Sequence, residues 1–188
     1  MDELYDPARV FRKLAISNRL ANSRLHRACA TLQDGEFRAV RIGFFPSISL
    51  TLNHIFQVDL FYVDALEGGK LGYRAFEIEE PFRDIGLLAE AQAQVDQRLL
   101  TLCSGLDAAR LSSTVEIHRG NRVQTDRMDD VVSHLFQHQT HHRGQAHAML
   151  SGTSVAPPQL DEFIVGDDAG VRADDLLAAG LSEADLML

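Results

Sequence analysis

Apolar residues recur at helical spacing in four long stretches of the chain. These stretches cover about residues 7–32, 46–67, 82–102 and 127–150. Asp6 is the expected N-cap of the first, ahead of Pro7, and Thr125 or Asp126 is the expected N-cap of the last. Four helices of about 20 residues predict an all-α fold, a four-helix bundle. The lengths of the connections leave the order of the helices in the bundle open.

Two segments depart from this helical pattern. From Ser113 to Thr125, residues alternate on both sides of Gly120-Asn121, which predicts a short β-hairpin before the last long helix. Beyond Pro157-Pro158 the chain is acidic, with Arg172 as its one basic residue. We expect this last stretch to be a solvated appendage that packs on the bundle through short helical turns.

Composition and charge narrow the class of protein. With 188 residues, 45% hydrophobic and 24% charged, the chain is typical of a soluble single domain with a substantial core. A net charge of -9 argues against nucleic acids and anionic membranes as partners. No apolar run reaches the roughly 18 residues of a membrane-spanning helix. The acidic N-terminus, residues 1–7, lacks an apolar signal region, and we therefore expect a cytoplasmic protein.

Histidines are concentrated in the last long helix. Five of the eight lie within residues 134–147. Because residues four apart share one face of an α-helix, His134, His138 and His142 form a shallow spiral of imidazoles. Imidazole is the commonest metal ligand near neutral pH, and an adjacent pair in this spiral could chelate one divalent ion.

The apolar neighbours indicate which histidines face the core. The apolar residues of this helix fall within an arc of about 60°, and they are Met128, Val131, Leu135, Ala146 and Met149. His138 and His142 lie within or beside that arc. His134 and His141 lie off its edge, and His147 points to nearly the opposite side. The inward pair is therefore His138 and His142.

His54 occupies a similar position in the second helix, between Leu50 and Val58 on one apolar stripe. A single inward histidine is usually a hydrogen-bonded core residue. Three of them without partners would cost on the order of a few kcal/mol each, whereas a shared cation satisfies one nitrogen on every ring. We therefore predict a metal site at His54, His138 and His142, with His134, His141 and His147 outside it.

At these residues the chain resembles the DinB family, which includes YfiT-like metalloenzymes. The resemblance rests on the segments 52–56 (LNHIF), 134–145 (HLFQHQTHHRGQ) and 157–161 (PPQLD). It implies an up-down-down-up bundle, a divalent metal on His54, His138 and His142, and a homodimer. It extends to about Phe163, which implies a DinB-like domain over residues 1–163 and an acidic extension over residues 164–188.

Three imidazoles leave open positions on Zn²⁺ or Ni²⁺, as catalytic sites do. Some proteins similar to this chain transfer low-molecular-weight thiols to small electrophiles, with the thiolate held by the metal. A metal-dependent hydrolase, a non-enzymatic metal-binding stress-response protein and a purely structural bundle are the alternatives. The last long helix carries acidic residues only at its start, Asp129 and Asp130, and the lack of a general base among the histidines weakens the hydrolase hypothesis most.

Three further polar residues are candidates for contacts with a substrate. Asn53 and Gln145 could hydrogen-bond water or substrate, although structural amides are the simpler interpretation. Arg143 could bind a substrate carboxylate, and its alternative is a surface or interface salt bridge. Cys29 and Cys103 lie far apart without metal-ligand spacing, and we interpret both as small buried side chains.

Overall fold

The computed structural model describes residues 6–187, and this part of the chain is mostly helical. The expectation of a cytoplasmic protein was drawn from the acidic N-terminus. Residues 1–5 of that segment lie outside the described residues. None of the described helices combines the length and apolar character needed to cross a membrane.

The described chain contains seven α-helices, four long and three short, one hairpin, and two short 3-10 helices at Gly72–Phe76 and Gly166–Asp168. The long helices are α1 (Arg9–Cys29), α2 (Ile48–Leu66), α3 (Ile85–Ser104) and α5 (Met128–Leu150). The short helices are α4 (Ala108–Leu111), α6 (Ala169–Ala178) and α7 (Glu183–Met187). Between α4 and α5, strands β1 (Thr114–His118) and β2 (Val123–Arg127) pair antiparallel. The mostly helical fold and the hairpin were both predicted correctly.

Side-chain caps explain where α2 and α3 begin. The hydroxyl of Ser47 accepts a hydrogen bond from the Leu50 amide at 3.1 Å, and the Asp84 carboxylate accepts one from the Leu87 amide at 2.9 Å. Each cap satisfies a first-turn N–H group that has no partner within the helix. The start of α2 fixes where His54 falls on the helix surface.

The N-caps predicted for the first and last long helices were wrong. Asp6 accepts a hydrogen bond from the Ala8 amide at 2.9 Å, and this turn makes Ala8 the N-cap of α1. Thr125 and Asp126 belong to β2 and pair with β1. Arg127 is therefore the N-cap of α5, and it makes no side-chain capping bond. In both places a local structure next to the helix occupies the residue that the sequence suggested as the cap.

The long helices pack so that α1 and α2 each contact both α3 and α5. The hairpin lies against α2 and α5 and contributes Val115 and Ile117 to the core. Beyond α5 the chain returns to α1, where α6 and α7 pack. This return is anchored by Arg172, which is fully buried and donates hydrogen bonds to Glu183 and to the Val165 carbonyl.

A buried polar cluster lies between the four long helices, each of which contributes members. Its members are Asn18 and Asn22 on α1, Asp59 on α2, Gln92 and Asp96 on α3, and Gln139 and Arg143 on α5. Arg143 Nη1 donates to the amide oxygens of Asn18 and Asn22, the latter at 3.0 Å. Burial lowers the pKa of Arg143 to about 10 and raises that of Asp96 to about 6. The cluster therefore buries a guanidinium and two carboxyl groups among amide side chains, and Asp59 Oδ1, Gln92 Oε1 and Gln139 Nε2 lack hydrogen-bond partners among the described residues.

We expect the substitution Arg143→Met to lower the free energy of unfolding by about 3–5 kcal/mol, because it removes the buried guanidinium nearest Asp59 and Asp96 and leaves buried amide oxygens without their donor. Urea unfolding followed by circular dichroism measures the loss. Arg122→Met is the matched control, since Arg122 is exposed in the hairpin loop, and we expect it to change stability by less than about 0.5 kcal/mol. Equal losses in the two variants would contradict a stabilising role for the cluster.

Candidate metal centre

Three imidazoles converge where α2 packs on α5. His54 Nε2 lies 3.0 Å from His138 Nε2, and one ring nitrogen of each of His54, His138 and His142 lies within 4.8 Å of the others. The ring centroids of His138 and His142 are 4.4 Å apart, as expected for residues one turn apart on α5. The structure therefore brings together the three histidines that the sequence selected.

The three rings are suited to binding a metal because they are neutral. Burial, reinforced by the neighbouring imidazoles, lowers the pKa of His54 to about 4 and that of His138 to about 3. Burial also lowers the pKa of His142. At neutral pH each ring keeps a lone pair that a metal ion can use.

The spacing of the nitrogens also fits a metal ion. Two ligands of a tetrahedral zinc ion at 2.0–2.1 Å lie about 3.3 Å apart, close to the 3.0 Å between the Nε2 atoms of His54 and His138. Without an ion, one of these two nitrogens must donate a hydrogen bond to the other. His142 Nε2 takes no part in that hydrogen bond. An ion would accept all three lone pairs.

Gln145 holds one of the candidate ligands in place. Its Oε1 lies 2.8 Å from His142 Nδ1, and because an amide oxygen only accepts, Nδ1 carries the proton. The lone pair of His142 is then on Nε2. The Gln145 amide nitrogen lies 3.1 Å from His141 Nε2. Gln145 thus orients His142 through this hydrogen bond. This role differs from the contact with a substrate that the sequence suggested.

An aromatic wall covers the cluster from the connection before α2. The Phe45 ring lies 4.4 Å from the His54 ring and 5.7 Å from the His142 ring, between centroids. Phe44 lies 6.5 Å from His142 and is 78% exposed. Neither residue was predicted from the sequence to belong to the site. The pair of aromatic residues directly before the predicted start of α2 could have indicated it.

The remaining histidines of α5 lie outside the cluster. His134 is exposed and packs on Tyr62, with 5.2 Å between ring centroids. His141 is exposed beside Gln145, and His147 is half-buried. Among the described residues, the group of possible ligands contains only His54, His138 and His142.

Two suggested substrate contacts lie away from the site. The Asn53 amide donates to the carbonyl oxygens of Ser49 and Phe82, at 2.9 and 2.8 Å, and accepts from the Phe82 amide. Asn53 therefore joins α2 to the segment before α3, as the structural interpretation predicted. Arg143 points into the buried polar cluster and is 9% exposed, and the surface salt bridge given as its alternative is therefore wrong.

The fold and the site together define a mostly helical protein with three histidines on facing helices. The sequence model of the DinB family matches residues 4–169, and the chain belongs to that family. A similar solved structure is that of a DinB-like protein from Bacillus cereus, with a TM-score of 0.57 and 13% sequence identity over 74% of this chain and 89% of that one. No curated protein matches the sequence.

We expect Gln145→Ala to weaken metal binding by about 10–100-fold, because His142 loses the partner that fixes its tautomer and ring orientation. Competition with a fluorescent zinc chelator measures the change. Gln137→Ala is a matched control, since Gln137 is exposed on the same helix and has no hydrogen bond to His142 comparable to that of Gln145. Equal affinities of the Gln145 and Gln137 variants would contradict the orienting role.

Proposed function

We propose that this protein is a metal-dependent transferase that acts with a low-molecular-weight thiol on small electrophiles. In this proposal His54, His138 and His142 bind one divalent ion, zinc or nickel. The observation that carries it is the convergence of three neutral imidazoles in a half-buried site. Three-ligand sites with an open position are typical of catalytic metals rather than structural ones.

The residues of the site suit an anionic sulfur ligand. Bound zinc or nickel would lower the pKa of a coordinated thiol and stabilise the thiolate. Three neutral rings leave the full positive charge of the ion for that role. Phe45 excludes water from one side of the histidines, and Gln145 holds His142 in place.

The thiol would have to come from a small molecule. Cys29 and Cys103 are both buried, and burial raises the pKa of each thiol to about 12. Neither residue is a thiolate at neutral pH, and neither belongs to the group of possible metal ligands. The nucleophile of a transfer reaction is therefore supplied from solution.

The site offers less support for a hydrolase. No carboxylate joins the three histidines within residues 6–187. Asp129 and Asp130 lie in the first turn of α5, two turns or more before His138. A water nucleophile would thus lack a nearby general base. Metal content of protein purified without an affinity tag, followed by a thiol-consumption assay with and without chelator, tests the proposal.

We further infer that the long helices run up-down-down-up. Asn53 of α2 contacts Phe82, just before α3, and Asp59, further along α2, contacts Gln92 of α3. The contacts advance in the same direction along both helices, which supports a parallel pair. The contacts of α2 with α5 run in opposite order, since Thr51 meets Met149 whereas Tyr62 meets His134. The long connection between α2 and α3 would then be the crossover.

We also propose a homodimer with α1 in the interface. An apolar groove of about 550 Å³ between α1 and α5 supports this, with Phe11, Leu14 and Phe136 in its walls. Light scattering at micromolar concentration should give twice the chain mass of 20.9 kDa. A mass equal to one chain would contradict the dimer.

A further inference from the structure

We propose that a cavity beside the histidine cluster binds the zwitterionic amino-acid group of a small thiol substrate. This assignment rests on the proposed function, and it names the class of thiol. The groups that would hold the substrate are Arg119 for its carboxylate and Asp126 and Asp130 for its ammonium group.

The cavity has a volume of about 290 Å³ and lies between the hairpin, α2 and α5. His134 and Tyr62 form the wall on the side of the metal centre. The rings of His134 and His138 are 6.3 Å apart between centroids. A molecule in this cavity is thus one side chain away from a candidate metal ligand, and the small volume favours a compact ligand.

Arg119 is held in the cavity wall by neutral partners and has no carboxylate partner among the described residues. Its guanidinium lies 5.2 Å from the centroid of the Phe61 ring, Nη2 donates to the Tyr62 hydroxyl at 3.3 Å, and Nε donates to Gln124 Oε1 at 3.0 Å. No ion pair involves Arg119 in the part of the chain that the structure describes. A preorganised guanidinium without a carboxylate partner is suited to bind one from a ligand.

Two carboxylates face the same cavity. The Gln124 amide nitrogen donates to Asp126, so that Arg119, Gln124 and Asp126 form a hydrogen-bonded row along the hairpin. Asp130 lies opposite, in the first turn of α5. Within residues 6–187 neither aspartate is in an ion pair. The cavity therefore presents one positive and two negative groups a short distance apart.

This mixture of charges selects among ligands. A simple anion would meet two carboxylates, and a simple cation would meet the guanidinium. An α-amino-acid group carries both charges and pairs with both kinds of side chain. Cysteine is the smallest common thiol with such a group, and His134 is the side chain between this cavity and His138. Arg119 thus takes the carboxylate-binding role that the sequence suggested for Arg143.

Direct binding to the zinc-loaded full-length protein tests the assignment, and L-serine is the probe because it has the amino-acid group without a thiol. Isothermal titration compares it with ethanolamine, which lacks the carboxylate, and with 3-hydroxypropionate, which lacks the ammonium group. We expect L-serine to bind at least about tenfold more tightly than either. Arg119→Gln should remove the advantage over ethanolamine, whereas the exposed control Arg122→Gln should keep it.

Several results would overturn the proposal. No binding of L-serine to the wild-type protein at millimolar concentrations is one, and equal binding of the three probes is another. Unchanged L-serine affinity in Arg119→Gln is a third. The comparison of probes on the wild-type protein does not depend on the folding of a variant. Repeating the L-serine titration after chelation separates this cavity from the metal centre, because a protein without metal still offers Arg119 and Asp126.

Discussion

His138→Ala will abolish stoichiometric metal binding, whereas His147→Ala will leave it intact. His138 lies at the centre of the cluster, 3.0 Å from His54 between Nε2 atoms and 4.4 Å from His142 between ring centroids. Its loss leaves two imidazoles. Loss of a residue that only orients a ligand weakens metal binding by about 10–100-fold, and we expect loss of a ligand itself to weaken it by more than about 100-fold. Elemental analysis after dialysis against a metal buffer measures the stoichiometry.

The His147 variant is the control for this experiment. His147 belongs to the same helix and is half-buried, but it lies outside the group of possible ligands. Both variants need circular dichroism spectra that match the wild type. If the His147 variant loses metal while the His138 variant retains it, the assignment of the inward face of α5 is wrong.

Removal of the metal will abolish thiol transfer, and zinc or nickel will restore it. The physical reason is that Cys29 and Cys103 are buried thiols and that no carboxylate of residues 6–187 joins the three histidines. Activity should rise with pH around neutrality as the metal-bound thiol ionises. Protons do not compete for the imidazoles in that range, because the pKa of His54 is about 4 and that of His138 about 3. The rise therefore reports the thiol.

A panel of electrophiles with cysteine, glutathione and other small thiols, run beside model esters, measures this activity. His138→Ala should be inactive in every thiol reaction, and His147→Ala should resemble the wild type. Turnover of esters without added thiol would support a hydrolase and contradict the transferase. Inactivity with both kinds of substrate would favour a protein that binds metal without catalysis.

The sequence was sufficient to select the histidines that converge. Successive residues of a helix turn by about 100°, and the polarity of neighbours on α5 therefore separates His138 and His142 from His147. The same reasoning placed His54 on the inner side of α2. The hairpin was equally predictable, because its alternation and its Gly120-Asn121 turn are local properties of the chain.

The sequence was not sufficient where the outcome depends on distant partners. Arg143 is buried because it contacts Asn18 and Asn22 of α1, and helical periodicity on α5 carries no information about α1. The position of Phe45 over His54 depends on the path of an irregular connection. The cavity around Arg119 likewise arises only when the hairpin packs on α2 and α5.

The buried polar cluster has a consequence for the geometry of the metal centre. Arg143 directly follows His142 on α5, and its hydrogen bonds to Asn18 and Asn22 of α1 restrain the rotation of this helix about its own axis. A small turn of α5 would move the two imidazoles away from His54 and would also pull Arg143 from its partners on α1. The buried polar cluster thus restrains the rotation of α5, and residues outside the histidine cluster help to keep the three rings directed at one point.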